Sequence, residues 1–355
     1  MKPELRFLEF EENWSYKKLK DLLKVHSGRD YKHLEPGEIP VYGTGGYMLS
    51  VSDYLSNDDA IGIGRKGTIN KPYLLKAPFW TVDTLFYCTP REEVDLYFLL
   101  SLFKKVNWKK YDESTGVPSL SKVNIEKIKV YSCGLEEQRK IGDFFSKLDQ
   151  QIELEEQKLA KLEEQKKGYM QKIFSQELRF KDENGNDYPE WEIKKLMQIA
   201  KVKTGSKNVQ DNIQDGKFKF FDRSVEVKYL NTFDFDETAI IYPGEGSKLL
   251  PRYFSGKYSL HQRAYSIYDI NINNNYLYYY LSLQNNHFLK YAVGSTVKSL
   301  RMSGFDKLKV MVPKNSEQEK IGDFFNELDE LIEKQSSKIG VLKQRKKGFL
   351  QKMFV

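Results

Sequence analysis

The chain has 355 residues, 57 Lys and Arg against 50 Asp and Glu, and a formal net charge of +7. That length suits about two domains with separate cores, and the modest cationic excess favours a polyanionic partner without requiring one. The two cysteines and four histidines lack zinc or haem spacing. No apolar run nears the ~20 residues that span a bilayer, and MKPELRFLEFEENW has no signal-peptide core, so a soluble, cytoplasmic chain without a resident metal is expected.

The chain opens with ELRF at Glu4, then Trp14 and YKKL. Short β-branched or aromatic runs bounded by Gly, Pro, Asn and Asp follow, as strands are: EIPVYG, AIGIG and FWTVDTLFYC. AIGIG runs into GIGRKG (Gly62 to Gly67), which matches the spacing of a dinucleotide-binding loop. That reading needs a helix opening at the last glycine, yet Thr68, Ile69, Pro72 and Pro78 occupy those turns. The loop instead carries adjacent cations, Arg65 and Lys66. Lys71 and Tyr73 come next, a helix is expected at DLYFLLSLFKKV, and Lys109, Lys110, Ser119, Ser121 and Lys122 complete the polar loops of the first half.

EEQRKIGDFFSKLDQQIELEEQKLAKLEEQKKGYMQKIF (Glu136 to Phe174) then begins a segment that returns without a gap at Ser316 to Phe354. A shift of about 180 residues marks a duplicated half-protein, since solenoid periods are far shorter. In the first copy Ile141, Phe145, Leu148, Ile152, Glu155, Leu159, Leu162, Lys166, Tyr169 and Ile173 keep the 4-3 spacing of a coiled-coil seam. In the second the seam is Ile321, Phe325, Leu328, Ile332, Gln335, Ile339, Leu342, Lys346, Phe349 and Met353. Parallel pairing would set Lys166 against Lys346. Antiparallel pairing lets Glu155 face Lys346 and Lys166 face Gln335, with Leu159 on Leu342 and Leu162 on Ile339. An intramolecular antiparallel coiled coil is therefore expected, with helices of about 40 residues, roughly 60 Å each; pairing with another chain stays open.

The second half repeats the entry landmarks as ELRF at Glu177, Trp191 and IKKL. Strands are expected in KFKFFDRSVEVKYL, TAIIYPG and AYSIYDI, and a core-packed aromatic helix in NYLYYYLSLQNNHFLKYA. Its basic and polar loop residues are Lys203, Lys207, Lys217, Lys219 and Arg223, then Lys248, Arg252, His261, Gln262 and Arg263, then Lys298, Ser299 and Arg301. Lys and Arg meet phosphates, while Arg, Gln, Ser and Asn read base edges, so both sets of loops suit duplex DNA. PGEGSK at Pro243 is only a rough counterpart of GIGRKG, and its Glu245 suggests a different contact. No phosphate-binding loop, H-E-x-x-H, G-x-S-x-G or Asn/Asp-Pro-Pro-aromatic signature is present. Glu192-x-Lys194 is a triplet common in charged chains, so no catalytic site is expected.

Two divergent interiors, each closed by a near-identical helix with EEQRKIGDFF or SEQEKIGDFF and ending in KKG…QK, resemble the specificity subunit of a type I restriction-modification system. The ELRF…W…KKL entries, GRKG followed by FWTVDT, and QRKKGFLQKMF fit that family along the whole chain. The resemblance implies an α+β fold in which two mixed target-recognition domains (residues 1–134 and 176–315) are separated by two conserved long helices (135–175 and 316–355) in a pseudo-two-fold repeat. It implies a non-catalytic subunit that reads a bipartite double-stranded DNA target, the helices acting as a ruler. Adenine methylation and cleavage would belong to methyltransferase subunits, two per chain, and restriction subunits, which bind S-adenosylmethionine, ATP and magnesium. The other class of function open to the chain is a coiled-coil scaffold that binds protein alone.

Overall fold

The computed structural model describes residues 1–224 and 226–355. The chain forms two compact units, Met1–Lys158 with Gln335–Val355, and Leu159–Lys334. Each is built on the same frame of mixed strands and helices. In the first, Ser15–Lys18 pairs antiparallel with Lys129–Ser132; in the second, Glu192–Lys195 pairs with Lys309–Val312 in the equivalent register. The first unit adds a four-stranded sheet ordered Leu23–Ser27, Leu85–Pro90, Ala60–Gly64, Tyr73–Leu75, and a three-stranded sheet of Gly46–Val51, Pro36–Gly43 and Trp80–Thr81. The second unit has one six-stranded sheet, ordered Lys201–Thr204, Tyr265–Tyr268, Phe235–Tyr242, Arg252–Leu260, Phe218–Phe221, Lys228–Leu230.

The repeated landmarks have a common structural cause. Arg6 donates from Nε and Nη2 to the two oxygens of Glu137 (2.7 and 2.8 Å), and Trp14 Nε1 donates to the same carboxylate at 3.2 Å. Arg179, Trp191 and Glu317 repeat this at 3.1, 2.8 and 3.0 Å. The next residue of each copy caps the neighbouring helix: Gln138 accepts from Asp95 N, and Gln318 from Asn273 N. Asp95 and Asn273 are themselves the N-caps of Leu96–Lys105 and Asn274–Ser282. Gly142 and Gly322 lie where the long helices meet those caps, and a Cβ at either position would fall within 3.0 Å of the cap side chain. ELRF, Trp, EQ and KIG are therefore one clasp, made twice.

The long helices span Leu135–Phe174 and Asn315–Lys352, and within each unit the segments of the two helices run antiparallel. In the first unit Phe144 meets Phe349 with ring centroids 5.1 Å apart; in the second Tyr169 meets Phe324 at 5.2 Å. The register differs from the one expected by matching seam charges. Glu155 accepts from Gln335 Nε2 at 2.8 Å and Lys338 Nζ at 2.7 Å, and not from Lys346. Lys346 pairs with Asp149, Lys166 with Asp329. Those two aspartates directly follow seam leucines and are each held a second time, Asp149 by Lys104 Nζ at 2.9 Å and Asp329 by Tyr279 OH at 2.8 Å. Flanking acids and globular side chains, absent from a two-helix count, set the register. Leu148, Leu159, Leu162, Leu328, Ile332 and Leu342 are half-buried, Ile152 and Ile339 buried, and Tyr169 is the most exposed seam side chain at 37%.

Hydrogen bonds from Gln335 and Lys338 hold the Glu155 carboxyl down at about 2, from 4.5. Its contribution to stability is thus complete above about pH 4.5 and disappears as the pH falls through 2. The expected result is that the Tm difference between the wild type and Glu155→Gln shrinks steadily over that interval. A difference that stays constant from pH 6 to pH 2 would contradict it.

Several strands differ from the sequence reading. FWTVDTLFYC is two strands, Trp80–Thr81 and Leu85–Pro90, and the aromatic helix breaks after Ser282 to resume at Asn285. KFKFFDRSVEVKYL forms Phe218–Phe221 and Lys228–Leu230; its Val225 lies outside the described residues. Arg252, expected in a loop, opens a nine-residue strand, Arg252–Leu260, paired with Phe235–Tyr242. Tyr276, Tyr279 and Tyr280 do fill the core of the second unit.

Candidate nucleic-acid interface

In the first unit the wholly buried strand Ala60–Gly64 delivers Arg65 and Lys66 to its end. The following residues form a loop and not a helix. Lys66 makes an antiparallel bridge with Ser119, Leu120 N donates to Arg65 O at 2.9 Å, and Gly67 N to Pro118 O at 2.8 Å. The partner loop is shaped by Asp112, whose Oδ1 accepts from Ser114 N and Ser119 N; the bond from Ser119 N lowers its pKa. Arg65, Lys66, Ser119, Ser121 and Lys122 line one concavity of about 320 Å³ with Ser27, Phe86 and Leu120. Arg65 projects over the Phe86 ring at 5.8 Å, and Ser121 Oγ caps the short helix Lys122–Lys127.

Lys71, Tyr73, Lys109 and Lys110 do not line that concavity. Tyr73 donates to Gly43 O at 2.6 Å, and burial raises its phenol pKa, so its hydroxyl is committed to the fold. Lys109 and Lys110 are exposed on the turn Trp108–Tyr111. The strand expected at EIPVYG is present as Pro36–Gly43, while its hairpin partner Gly46–Val51 was missed; the hairpin brings Thr44 close to Gly64 and leaves Tyr47 62% exposed. Its signal was the turn sequence GTGG between β-rich runs.

The second unit builds the same joint. Phe235–Tyr242 leads to PGEG, where Glu245 bridges Ser299, Leu300 N donates to Gly244 O at 2.8 Å, and Gly246 N to Lys298 O at 2.9 Å. Arg65, Lys66, Gly67, Ser119 and Ser121 thus correspond to Gly244, Glu245, Gly246, Ser299 and Arg301. The rough likeness between GRKG and PGEG is a close structural one, with the central charge reversed. Glu245 is held by Arg263 Nη1 at 2.7 Å and Arg223 Nη1 at 3.0 Å. The bond from Arg263, reinforced by Arg223, lowers the carboxyl pKa against a burial effect that raises it. A concavity of about 400 Å³ gathers Glu245, Gln262, Arg263, Ser299 and Arg301.

Other candidates of this unit lie elsewhere. Lys203 pairs with Glu237 at 2.6 Å and sits 3.8 and 3.9 Å from the ring centroids of Phe235 and Tyr268. Lys207 pairs with Asp234 at 3.3 Å, Lys219 lies over Phe254 at 4.9 Å, and Arg252 donates to Ser224 O. Lys248 is exposed, and Lys298 is half-buried on the strip that binds Gly246.

A further concavity, about 560 Å³, is rimmed by Glu9, Glu11, Glu12 and Glu136, a sign that repels phosphate. Among the described residues no group of three or more His, Cys, Asp or Glu could hold a metal, and no helix is long and apolar enough to cross a membrane. Cys88 and Cys133 are buried, which raises both thiols.

The chain is 28% identical over 162 residues to the type I restriction enzyme EcoDI specificity subunit of Escherichia coli, covering 46% of this chain and 36% of that protein. It is 28% identical over 158 residues to the MjaVIII specificity subunit of Methanocaldococcus jannaschii, covering 42% and 34%. The matches thus span about a third of these curated relatives. In fold it is similar to the crystal structure of a type I restriction-modification S subunit from M. genitalium, with TM-score 0.73 and 16% identity over 100% of this chain and 99% of that one. A chain from a structural study of complex assembly and conformational transition in the type I R-M system matches with TM-score 0.57 and 13% identity, over 97% and 98%. Residues 11–164 and 188–343 each match the type I restriction modification DNA specificity domain, so this chain, twice over and through most of its length, belongs to that family.

Proposed function

We propose that this chain is the non-catalytic, sequence-reading subunit of a type I restriction-modification complex. Residues 1–134 and 176–315 each recognise one half of a split duplex target, and the long helices (135–175 and 316–355) set the interval between the halves. The observation that carries this reading is the joint built twice, at Arg65–Lys66 with Ser119–Lys122 and at Gly244–Glu245 with Ser299–Arg301, in a chain whose two halves match a DNA specificity domain. Exposed guanidinium and ammonium groups over a firmly bonded loop suit phosphate anchoring plus base-edge readout. Methyltransferase subunits, two per chain, and restriction subunits supply the chemistry in the cytoplasm, with S-adenosylmethionine, ATP and magnesium bound on them.

The test is a genome-wide map of methylated adenine in cells with the partner methyltransferase, with and without this chain. A split motif present only with the chain is expected, and identical maps with both proteins soluble would overturn the reading. Binding of the assembled complex to that motif should weaken steeply with salt, as counterion release requires. A scaffold that binds only protein would show no DNA affinity at any salt concentration. Arg65→Ala is expected to weaken binding on every sequence and lower the salt slope by about one if it meets a phosphate. Relaxation at a single base position would instead mark Arg65 as a reader.

A further inference from the structure

Glu245 and its two arginines form an arrangement that the first unit lacks. The carboxylate side chain is 10% exposed, while Arg223 and Arg263 are 64% and 66% exposed. Each arginine gives Glu245 one Nη1–H. Among the described residues, the Nε and Nη2 donors of both meet no acceptor, and at 64% and 66% exposure the outer edge of each guanidinium faces solvent. Two cations on one anion leave a net positive spot, already stripped of much of its rotamer freedom by the shared acceptor.

We infer that Arg223 and Arg263 are guanine readers of the second half-site, with Glu245 as the positioning residue that fixes their interval. This rests on the DNA-reading function proposed above and deepens it. In the major groove guanine presents two acceptors, N7 and O6, which match two N–H groups of a guanidinium edge. Adenine sets an N6 donor against that edge, thymine offers one acceptor beside a methyl group, and cytosine offers a donor. Each oxygen of Glu245 already takes one arginine and the carboxylate side chain is only 10% exposed, so it presents little surface to a cytosine donor. The carboxyl remains ionised at neutral pH because Arg263, then Arg223, hold its pKa down. In the first unit Lys66 stands at the corresponding bridge, so this arginine pair is confined to the second half-site.

The experiment uses the full chain assembled with its methyltransferase subunits and duplexes carrying the methylation motif. The guanines of the second half-site are replaced one at a time by 7-deazaguanine, which lacks the N7 acceptor. The wild type is expected to lose about tenfold or more in affinity at a contacted guanine. Arg223→Ala or Arg263→Ala, checked for an unchanged Tm, should bind the two duplexes alike. Glu245→Gln should flatten the guanine preference there while first half-site preferences stay intact, whereas a general lesion would weaken all positions together; Glu245→Asp should restore part of it. A second half-site without guanine, or wild-type binding indifferent to 7-deazaguanine, overturns the assignment. Arginine variants that weaken all sequences equally would do the same, and would make these phosphate contacts. Loss of discrimination at both half-sites in the wild type would overturn the parent reading, and this one with it.

Discussion

Glu317→Ala is expected to destabilise the second unit by about 3–5 kcal/mol, the usual cost of removing one partner of a buried ion pair. The Glu317 side chain is fully buried and takes three hydrogen bonds, two from Arg179 and one from Trp191 Nε1. Without it the guanidinium, 21% exposed, keeps only Pro189 O as a close acceptor among the described residues, and the indole N–H loses its partner. At about 2–4 °C per kcal/mol for a unit of this size, Tm should fall by roughly 10 °C. The cost comes from the stranded charge, so removing both charges in Arg179→Met with Glu317→Leu should recover most of the loss. A double variant as unstable as Glu317→Ala would mean that lost packing, and not the unpaired cation, is responsible.

The same clasp shows what was legible in the sequence. ELRF, Trp and EQ stand out because they recur, and recurrence predicts a shared frame. Their bonding does not follow from spacing, since Arg6 and Glu137 are 131 positions apart and Arg179 and Glu317 are 138 apart. The long helices were readable from the 4-3 pattern of Ile141 to Ile173 because a seam is a local, periodic signal. Their register was not, because Asp149 and Asp329 take their second partners, Lys104 and Tyr279, from the globular parts. Arg252–Leu260 was missed because Gly256 and Lys257 interrupt its apolar run, although pairing with Phe235–Tyr242 and alternate burial of its first six residues make it a strand.

The loops divide along similar lines. GIGRKG could be freed of its cofactor reading by the prolines that follow it, and Arg65 and Lys66 are neighbours in the sequence as in space. The pairing of Lys66 with Ser119, and of Glu245 with Ser299, joins residues about fifty positions apart. Arg223, Glu245 and Arg263 come from three separate segments. Charge alone also put Lys203 and Lys207 on the same footing as Arg223, whereas these lysines are at most 30% exposed and Arg223 is 64% exposed.

Gly244→Ala is expected to cost about 3 kcal/mol, at the upper end of the usual range for overpacking, and to erase discrimination at the second half-site. A Cβ on Gly244 would lie well inside 3.0 Å of the Arg263 carbonyl oxygen, and the obstacle is backbone, so no side-chain rotation relieves it. The residue that must yield carries one of the two guanidiniums on Glu245 and immediately precedes Ala264 and the strand Tyr265–Tyr268. At the corresponding place in the first unit stands Arg65, with an exposed side chain. Arg65→Gly should therefore leave Tm within about 2 °C while weakening DNA binding, so the two substitutions differ in kind despite equivalent positions. It follows that grafting Arg-Lys onto Gly244-Glu245 cannot transfer the reading of the first unit to the second. Thermal unfolding and a randomised half-site selection on both variants decide the matter. A Gly244→Ala chain with unchanged Tm and an unchanged second half-site would show that Arg263 can move aside freely and that the joint does not fix the arginine pair.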